Sequence, residues 1–293
     1  MRLRALAKIN LGLDVVRKRE DGYHEVRMVM QTIRMYDQLD VQKTETPGIR
    51  IRTNLPYLPV NEGNLVYRAA RMLMDEFGIE EGISVNLKKV IPVAAGMAGG
   101  STDAAAMLVG MNKMFELGLS RKELMERAQK IGADVPYCVM RGTALAEGIG
   151  EILTPLPPMP EAYVLIGKPG VSVSTKFVYG NLDVPNLSFH PDIDGIVQAL
   201  KEKDLHGVTN RMGNVLETVT IPAYPVIDEI KRKMVEWGAV NALMSGSGPT
   251  VFGIFEDKEK AEYAYEKLKD SKLARQCFLT TFYNNMPGDE LYL

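Results

Sequence analysis

The sequence predicts an α+β protein built as two lobes. Period-two strand segments and helical stripes are mixed along the chain without the strict strand–helix–strand order of a doubly wound sheet. A length of 293 residues suits about two domains. Four of the seven residues at 154–160 are proline, the natural place for a division. One domain is therefore expected over 1–155 and a second, smaller one over 156–293.

Over residues 5–15, Ala7, Ile9, Leu11, Leu13 and Val15 alternate with Lys8, Asn10, Gly12 and Asp14. This predicts a strand with Lys8 and Asn10 on one face. Arg19-Glu20-Asp21-Gly22 is a turn signal, and strand-rich sequence follows from about 25 to 53. Asn64 opens a helical stripe through Leu65, Ala69, Met72 and Leu73, with Gly78 as its stop. Ile83, Val85 and Leu87 alternate as a strand that leads into Ile91-Pro92 and a glycine-rich turn. Residues 104–114 read as a buried, alanine-rich helix that starts at Ser101. Ser120 and Glu123 form a capping box for the next helix, which Gly132 ends. Beyond the prolines come a strand at 163–166, helices near 193–200 and 225–237, a strand around Gly253, a helix over 258–268 and a strand at 277–282.

Hydrophobic residues at 46% and charged residues at 25% are ordinary globular composition, and argue against disorder. A net charge of −2 gives no general pull toward nucleic acid or an anionic membrane, so any affinity for phosphate must be local. The two cysteines, Cys138 and Cys277, have neither CxxC nor zinc-site spacing and suit a reducing compartment. Lys8 and Asn10 interrupt any signal-peptide core, and no apolar run approaches a membrane span. A cytoplasmic location is the expectation.

The most informative segment is Pro92, Val93, Ala94, Ala95, Gly96, Met97, Ala98, Gly99, Gly100, Ser101 and Thr102. Small residues let backbone approach a ligand, and glycines allow the positive φ angles that aim successive N–H groups inward. A helix N-terminus adds unpaired N–H groups and the positive end of its dipole. No lysine follows Gly99 or Gly100, which excludes a Walker A loop, and the spacing is not G-x-G-x-x-G. A tight strand-to-helix turn remains the alternative to a phosphate cradle, which the two hydroxyls at the helix start favour. Ala94 and Ala98 carry a Cβ, so both are expected at negative φ.

This turn resembles the central motif of the GHMP kinases, the superfamily of galactokinase and of homoserine, mevalonate and phosphomevalonate kinases. Two further superfamily motifs are similar: Ala7-Lys8-Ile9-Asn10-Leu11-Gly12-Leu13, and a C-terminal segment from Met244 to Gly253 that contains Gly246-Ser247-Gly248 and Thr250. Asp21-Gly22-Tyr23-His24-Glu25 and Gly132-Ala133-Asp134-Val135-Pro136 narrow the likeness. They resemble the branch that phosphorylates 4-diphosphocytidyl-2-C-methyl-D-erythritol on the methylerythritol phosphate route to isoprenoids.

The resemblance implies a two-lobed kinase with ATP and Mg²⁺ in the cleft, a small-molecule acceptor and no nucleic-acid or membrane partner. It implies catalytic roles for Lys8 and Asp134, the latter as general base. On residue type alone, a capping aspartate and an exposed lysine are the commoner readings. It assigns ATP to the residue 92–102 turn, Asn64 and Lys89, though the last two could be an ordinary cap and a surface charge. It assigns the acceptor to Asn10, Tyr23, His24, Thr175, Tyr179, Gly246, Ser247 and Gly248. Protein ligands for the metal are unknown. A sister kinase for mevalonate or homoserine would have no use for an aromatic cytosine clamp. A catalytically dead nucleotide sensor would typically lose Lys8 or Asp134.

Overall fold

The computed structural model describes residues 1–284. Strands β1 (Arg2–Lys18) and β2 (His24–Thr44) form a long antiparallel pair. β3 (Ile49–Thr53), helix α1 (Leu65–Phe77) and β4 (Gly82–Lys88) follow. Next come α2 (Gly99–Met114), α3 (Arg121–Gln129), α4 (Val135–Met140), β5 (Thr143–Glu147) and β6 (Ile152–Pro155). The later part of the chain contains β7 (Tyr163–Lys168), α5 (Thr175–Gly180), α6 (Ile193–Glu202), α7 (Leu205–Thr209) and β8 (Gly213–Asn214). It ends in α8 (Glu217–Ala223), α9 (Val226–Glu236), β9 (Asn241–Met244), β10 (Val251–Phe255), α10 (Lys258–Ser271) and β11 (Gln276–Thr281).

The strands make two sheets. One runs β3-β4-β2-β1-β8, with β5 and β6 extending from β2, and the other runs β11-β7-β10-β9. The chain leaves the first sheet at β6 and enters the second at β7, crossing the proline-rich segment. The later stretch is not independent, because β8 returns to pair in parallel with β1 at Gly12 and Leu13. The mixture of helix and antiparallel sheet is the α+β architecture that the patterning predicts. Among the described residues no helix is long and apolar enough to cross a membrane.

Local chemistry explains the element ends. The Asn64 side chain accepts the Val66 N–H, and Gly78 at φ 63° closes α1 in the left-handed conformation. Ser120 and Glu123 form the reciprocal capping box of α3. That helix ends at Gln129 with Lys130 as its C-cap, rather than at Gly132.

β1 carries Lys8 and Asn10 on one face, as the alternation predicts, but the strand is not regular throughout. Its alternating apolar residues do not share one core face. Leu3, Ala5, Leu13 and Val15 pack with the helical core, whereas Ala7, Ile9 and Leu11 pack against the second sheet with α6 and α7. The cause is a pair of register shifts between Leu6 and Lys8 and between Asn10 and Gly12. Such irregularities interrupt the regular alternation of faces along a strand. Between the two shifts Lys8 and Asn10 are thereby turned away from Ile9 and Leu11, toward the side of the sheet where Leu3, Ala5 and Leu13 meet the helical core.

The glycine-rich turn docks directly on the turn between β9 and β10. Ser245 Oγ donates to the Gly96 carbonyl at 2.9 Å, and a Cβ on Gly96 would lie 2.0 Å from the Ser245 carbonyl oxygen. Gly96 also has φ 72°. Behind this contact, buried Asn214 donates to the carbonyls of Met244 and Gly246 and accepts the Leu216 N–H. Gly96→Ala should therefore cost about 3 kcal/mol or more of stability in urea unfolding, through backbone strain plus collision. Gly78→Ala, at a similar φ but with open space around it, should cost only about 1–2 kcal/mol. Equal losses in the two variants would show that the Ser245 contact contributes nothing.

Candidate active site

A cavity of about 770 Å³ draws its lining from both parts of the chain. β1 contributes Lys8, Asn10 and Lys18; the β1–β2 turn and the start of β2 contribute Tyr23 and His24; and Ala133 and Asp134 precede α4. Thr175, Lys176 and Tyr179 from α5 face them together with Gly246 and Ser247.

The glycine-rich turn forms one wall through Ala94, Ala95, Gly96, Ala98, Gly99, Gly100 and Ser101. Pro92, Met97 and Thr102 are buried behind that wall, and Val93 lies outside the lining. Two expectations are corrected here. Ala94 and Ala98 adopt left-handed φ values of 51° and 56°. A methyl group is the smallest cost a side chain can impose there, and buried Ala95 and Met97 with the Ser245 bond hold the turn in that shape. The helix also begins at Gly99, with Ala98 as N-cap, rather than at Ser101. Its first intrahelical bond is Thr102 N–H to Ala98 carbonyl, so the preceding N–H groups are available to an anion. The Lys8 N–H bonds the Met97 carbonyl at 3.2 Å, which fastens β1 to this loop.

Lys8 is buried and its ammonium donates to Asn10 Oδ1 at 2.7 Å. Asn10 in turn donates to Met28 Sδ, so its amide is held at both ends. Asp134 is the N-cap residue of α4 but makes no side-chain cap hydrogen bond. Its carboxylate is thus not spent on the helix and lines the cavity with Lys8. Among the described residues no ion pair joins the two. The cavity thus presents an ammonium and a carboxylate in one lining.

At the other end, the His24 and Tyr179 rings lie 5.1 Å apart, tilted by 43°. Burial, with help from Lys18, holds the His24 imidazole below its ordinary pKa, and burial pushes the Tyr179 phenol up. Both groups are neutral near pH 7. Tyr23 is 60% exposed at the rim. Thr175 and Ser247 share a 2.9 Å hydroxyl–hydroxyl bond that bridges α5 and the β9–β10 turn.

Three expected contacts fall elsewhere. Asn64 uses its amide to cap α1 and to bond the Pro59 carbonyl, and it does not line the cavity. The Lys89 side chain points into the core, where Asp37 and Asp103 hold it. Its amine is consumed by these two carboxylates rather than offered to a nucleotide base. Gly248 bonds back to Ser245 inside its own turn and lies outside the lining. Conversely, Lys18 and Lys176 add positive charge to the cleft without being singled out by sequence. Lys176 adjoins Thr175, which was the available signal; Lys18 has none beyond its place at a strand end.

The donors present offer a metal little. Among the described residues there is no group of three His, Cys, Asp or Glu side chains suited to holding an ion. Ser101 lies in the lining, and the Thr102 side chain is buried directly behind it. These sparse oxygens suit an ion carried by nucleotide phosphates rather than a protein cage.

Residues 64–142 match the family described as GHMP kinases N terminal domain, and residues 191–273 match GHMP kinases C terminal. A 4-diphosphocytidyl-2-C-methyl-D-erythritol kinase from Lachnospira eligens is 58% identical over 280 residues, 96% of this chain and 97% of that protein. One of the same name from Lachnoclostridium phytofermentans is 54% identical over 283 residues, covering 97% of each. A crystal structure of 4-(cytidine 5'-diphospho)-2C-methyl-D-erythritol kinase superposes with a TM-score of 0.83 at 31% identity, over 97% of this chain and 100% of that one. A homoserine kinase from Cytophaga hutchinsonii, at 20% identity and a TM-score of 0.77 over 98% of this chain and 96% of its own, shares the fold. With near-complete coverage at such identity, and the motifs converging on one cleft, this chain belongs to the 4-diphosphocytidyl-2-C-methyl-D-erythritol kinase family of the GHMP kinases.

Proposed function

We propose that the chain transfers the γ-phosphoryl group of ATP to the 2-hydroxyl of 4-diphosphocytidyl-2-C-methyl-D-erythritol, in the cytoplasm, on the methylerythritol phosphate route to isoprenoid precursors. Residues 1–155 and 156–293 are its two domains. The observation that carries the reading is one cleft with three parts: a glycine-rich loop opening a helix, Lys8 with Asp134 in the same lining, and the His24–Tyr179 ring pair. ATP phosphates would lie on the N–H groups at the start of α2. The cytosine would stack against Tyr179 and meet His24, whose neutral ring offers one donor and one acceptor nitrogen. Lys18, Lys176 and the Thr175–Ser247 bridge suit the acceptor's diphosphate.

Phosphoryl transfer needs positioning and charge stabilisation more than covalent catalysis. Lys8, oriented by Asn10, polarises the acceptor hydroxyl and steadies charge on the transferring group. Asp134 takes the hydroxyl proton as the oxygen attacks phosphorus and ADP leaves. Mg²⁺ carried by the nucleotide would supply neutralising charge to the phosphates, with Ser101 as the lining hydroxyl that would bind it.

Lys8→Ala and Asp134→Asn should each lower kcat by about 10²–10⁴-fold in a steady-state ADP-release assay, with thermal stability retained. Near wild-type turnover in either would remove that residue from the chemistry. No turnover with this acceptor, mevalonate or homoserine, combined with tight ATP binding, would instead favour a nucleotide sensor. Tyr179→Ala should raise KM for the cytidylyl acceptor by roughly ten- to a hundredfold, the worth of one base stack, while KM for ATP changes little. Acid should weaken acceptor binding as His24 gains a proton and loses its acceptor nitrogen. The His24→Asn variant should lack that acid limb, and an unchanged profile would separate His24 from cytosine recognition.

A further inference from the structure

Beneath the anion-binding loop lies a buried charge cluster that is not part of the cleft lining. Lys89 Nζ bonds Asp103 Oδ2 at 2.5 Å and also bonds Asp37 Oδ2. The side chains are almost inaccessible, at 4% for Lys89, 0% for Asp37 and 3% for Asp103. The second Asp37 oxygen accepts the N–H groups of Val90 and, at 2.8 Å, of Ile91. Burial and the neighbouring Asp37 push the Asp103 carboxyl well above its ordinary range, against the pull of Lys89. Clusters of this kind are commonly replaceable by apolar side chains without loss of stability, so their presence invites a use other than stability.

Their location supplies one. Lys89, Val90 and Ile91 are the chain entering the loop, and Asp103 lies in the helix that leaves it. The cluster thus clamps the incoming and outgoing stems to β2 through Asp37. A Cβ built on Gly99 would be 3.3 Å from Lys89 Nζ, which puts the ammonium directly under the first turn of α2. Between the stems, Ala94 and Ala98 are held in the left-handed region. Such backbone persists only where its surroundings over-determine it. We infer that Lys89, held by Asp37 and Asp103, is a positioning residue that sets the shape of the loop for ATP phosphates without touching the nucleotide. This rests on the reading that the loop binds ATP.

The test compares wild type with Asp103→Asn and with the charge-balanced pair Lys89→Met/Asp103→Leu. The readouts are the Kd of a non-hydrolysable ATP analogue by calorimetry, KM for the cytidylyl acceptor, and thermal unfolding. The double variant should remain folded and lose nucleotide affinity by about ten- to a hundredfold, the scale of one lost backbone hydrogen bond to a charged phosphate. KM for the acceptor should stay near the wild-type value, and Asp103→Asn should give a smaller loss of the same kind. Wild-type nucleotide affinity in a folded double variant would overturn the inference, as would a parallel loss of affinity for both substrates. If the double variant fails to fold, Asp103→Asn decides by the same criteria. A wild-type protein that does not bind the analogue would remove the ATP reading itself and this inference with it.

Discussion

Between Gly96 and Ser245 two backbones meet with no space for a side-chain atom. This contact ties the glycine-rich loop at the start of α2 to the β9–β10 turn across the cleft. On one side it is backed by the Lys8–Met97 main-chain bond, and on the other by Asn214, whose amide is fully used by the β9–β10 turn and Leu216. β8 carries Asn214 into the first sheet, so the same short strand ties both sheets to the cleft. Each of these bonds is worth little alone, but together they join the two walls of the cleft at several points.

The cleft divides its tasks by the kind of group that performs them. In the proposed function, anion binding would fall to main chain and a helix start, whose dipoles need no proton and hold their direction at any ordinary pH. Recognition of the base would, on the same proposal, fall to two neutral rings, one on β2 and one on α5. In the proposed reaction the chemistry would fall to Lys8, held by an amide, and Asp134, whose side chain makes no capping bond. A protein with net charge −2 can therefore be locally cationic through Lys8, Lys18 and Lys176.

Much of this was legible in the residues. Asn64, Gly78 and the Ser120–Glu123 box mark helix ends because capping is a local interaction. The loop and the Lys8-x-Asn10 face were visible because close approach and strand alternation leave compositional traces. What was hidden depended on contacts distant in sequence. Ala94 and Ala98 break the φ rule because neighbours enforce their geometry. Lys89 turns inward because Asp37, 52 positions away, offers a carboxylate there. β5 and β6 were not anticipated, since short pairs such as these depend on the strands they join.

The reversals of facing in β1 also say how this active site can change over generations. Substitution within the strand leaves the facing of its neighbours intact, whereas gain or loss of one residue between Leu6 and Gly12 would exchange the cleft-facing pair for Ile9 and its flanks. Apart from Lys8 and Asn10, this segment is thus constrained in its length more tightly than in its composition. New acceptors are more accessible through α5 and the β1–β2 turn, where insertions do not disturb the register around Lys8.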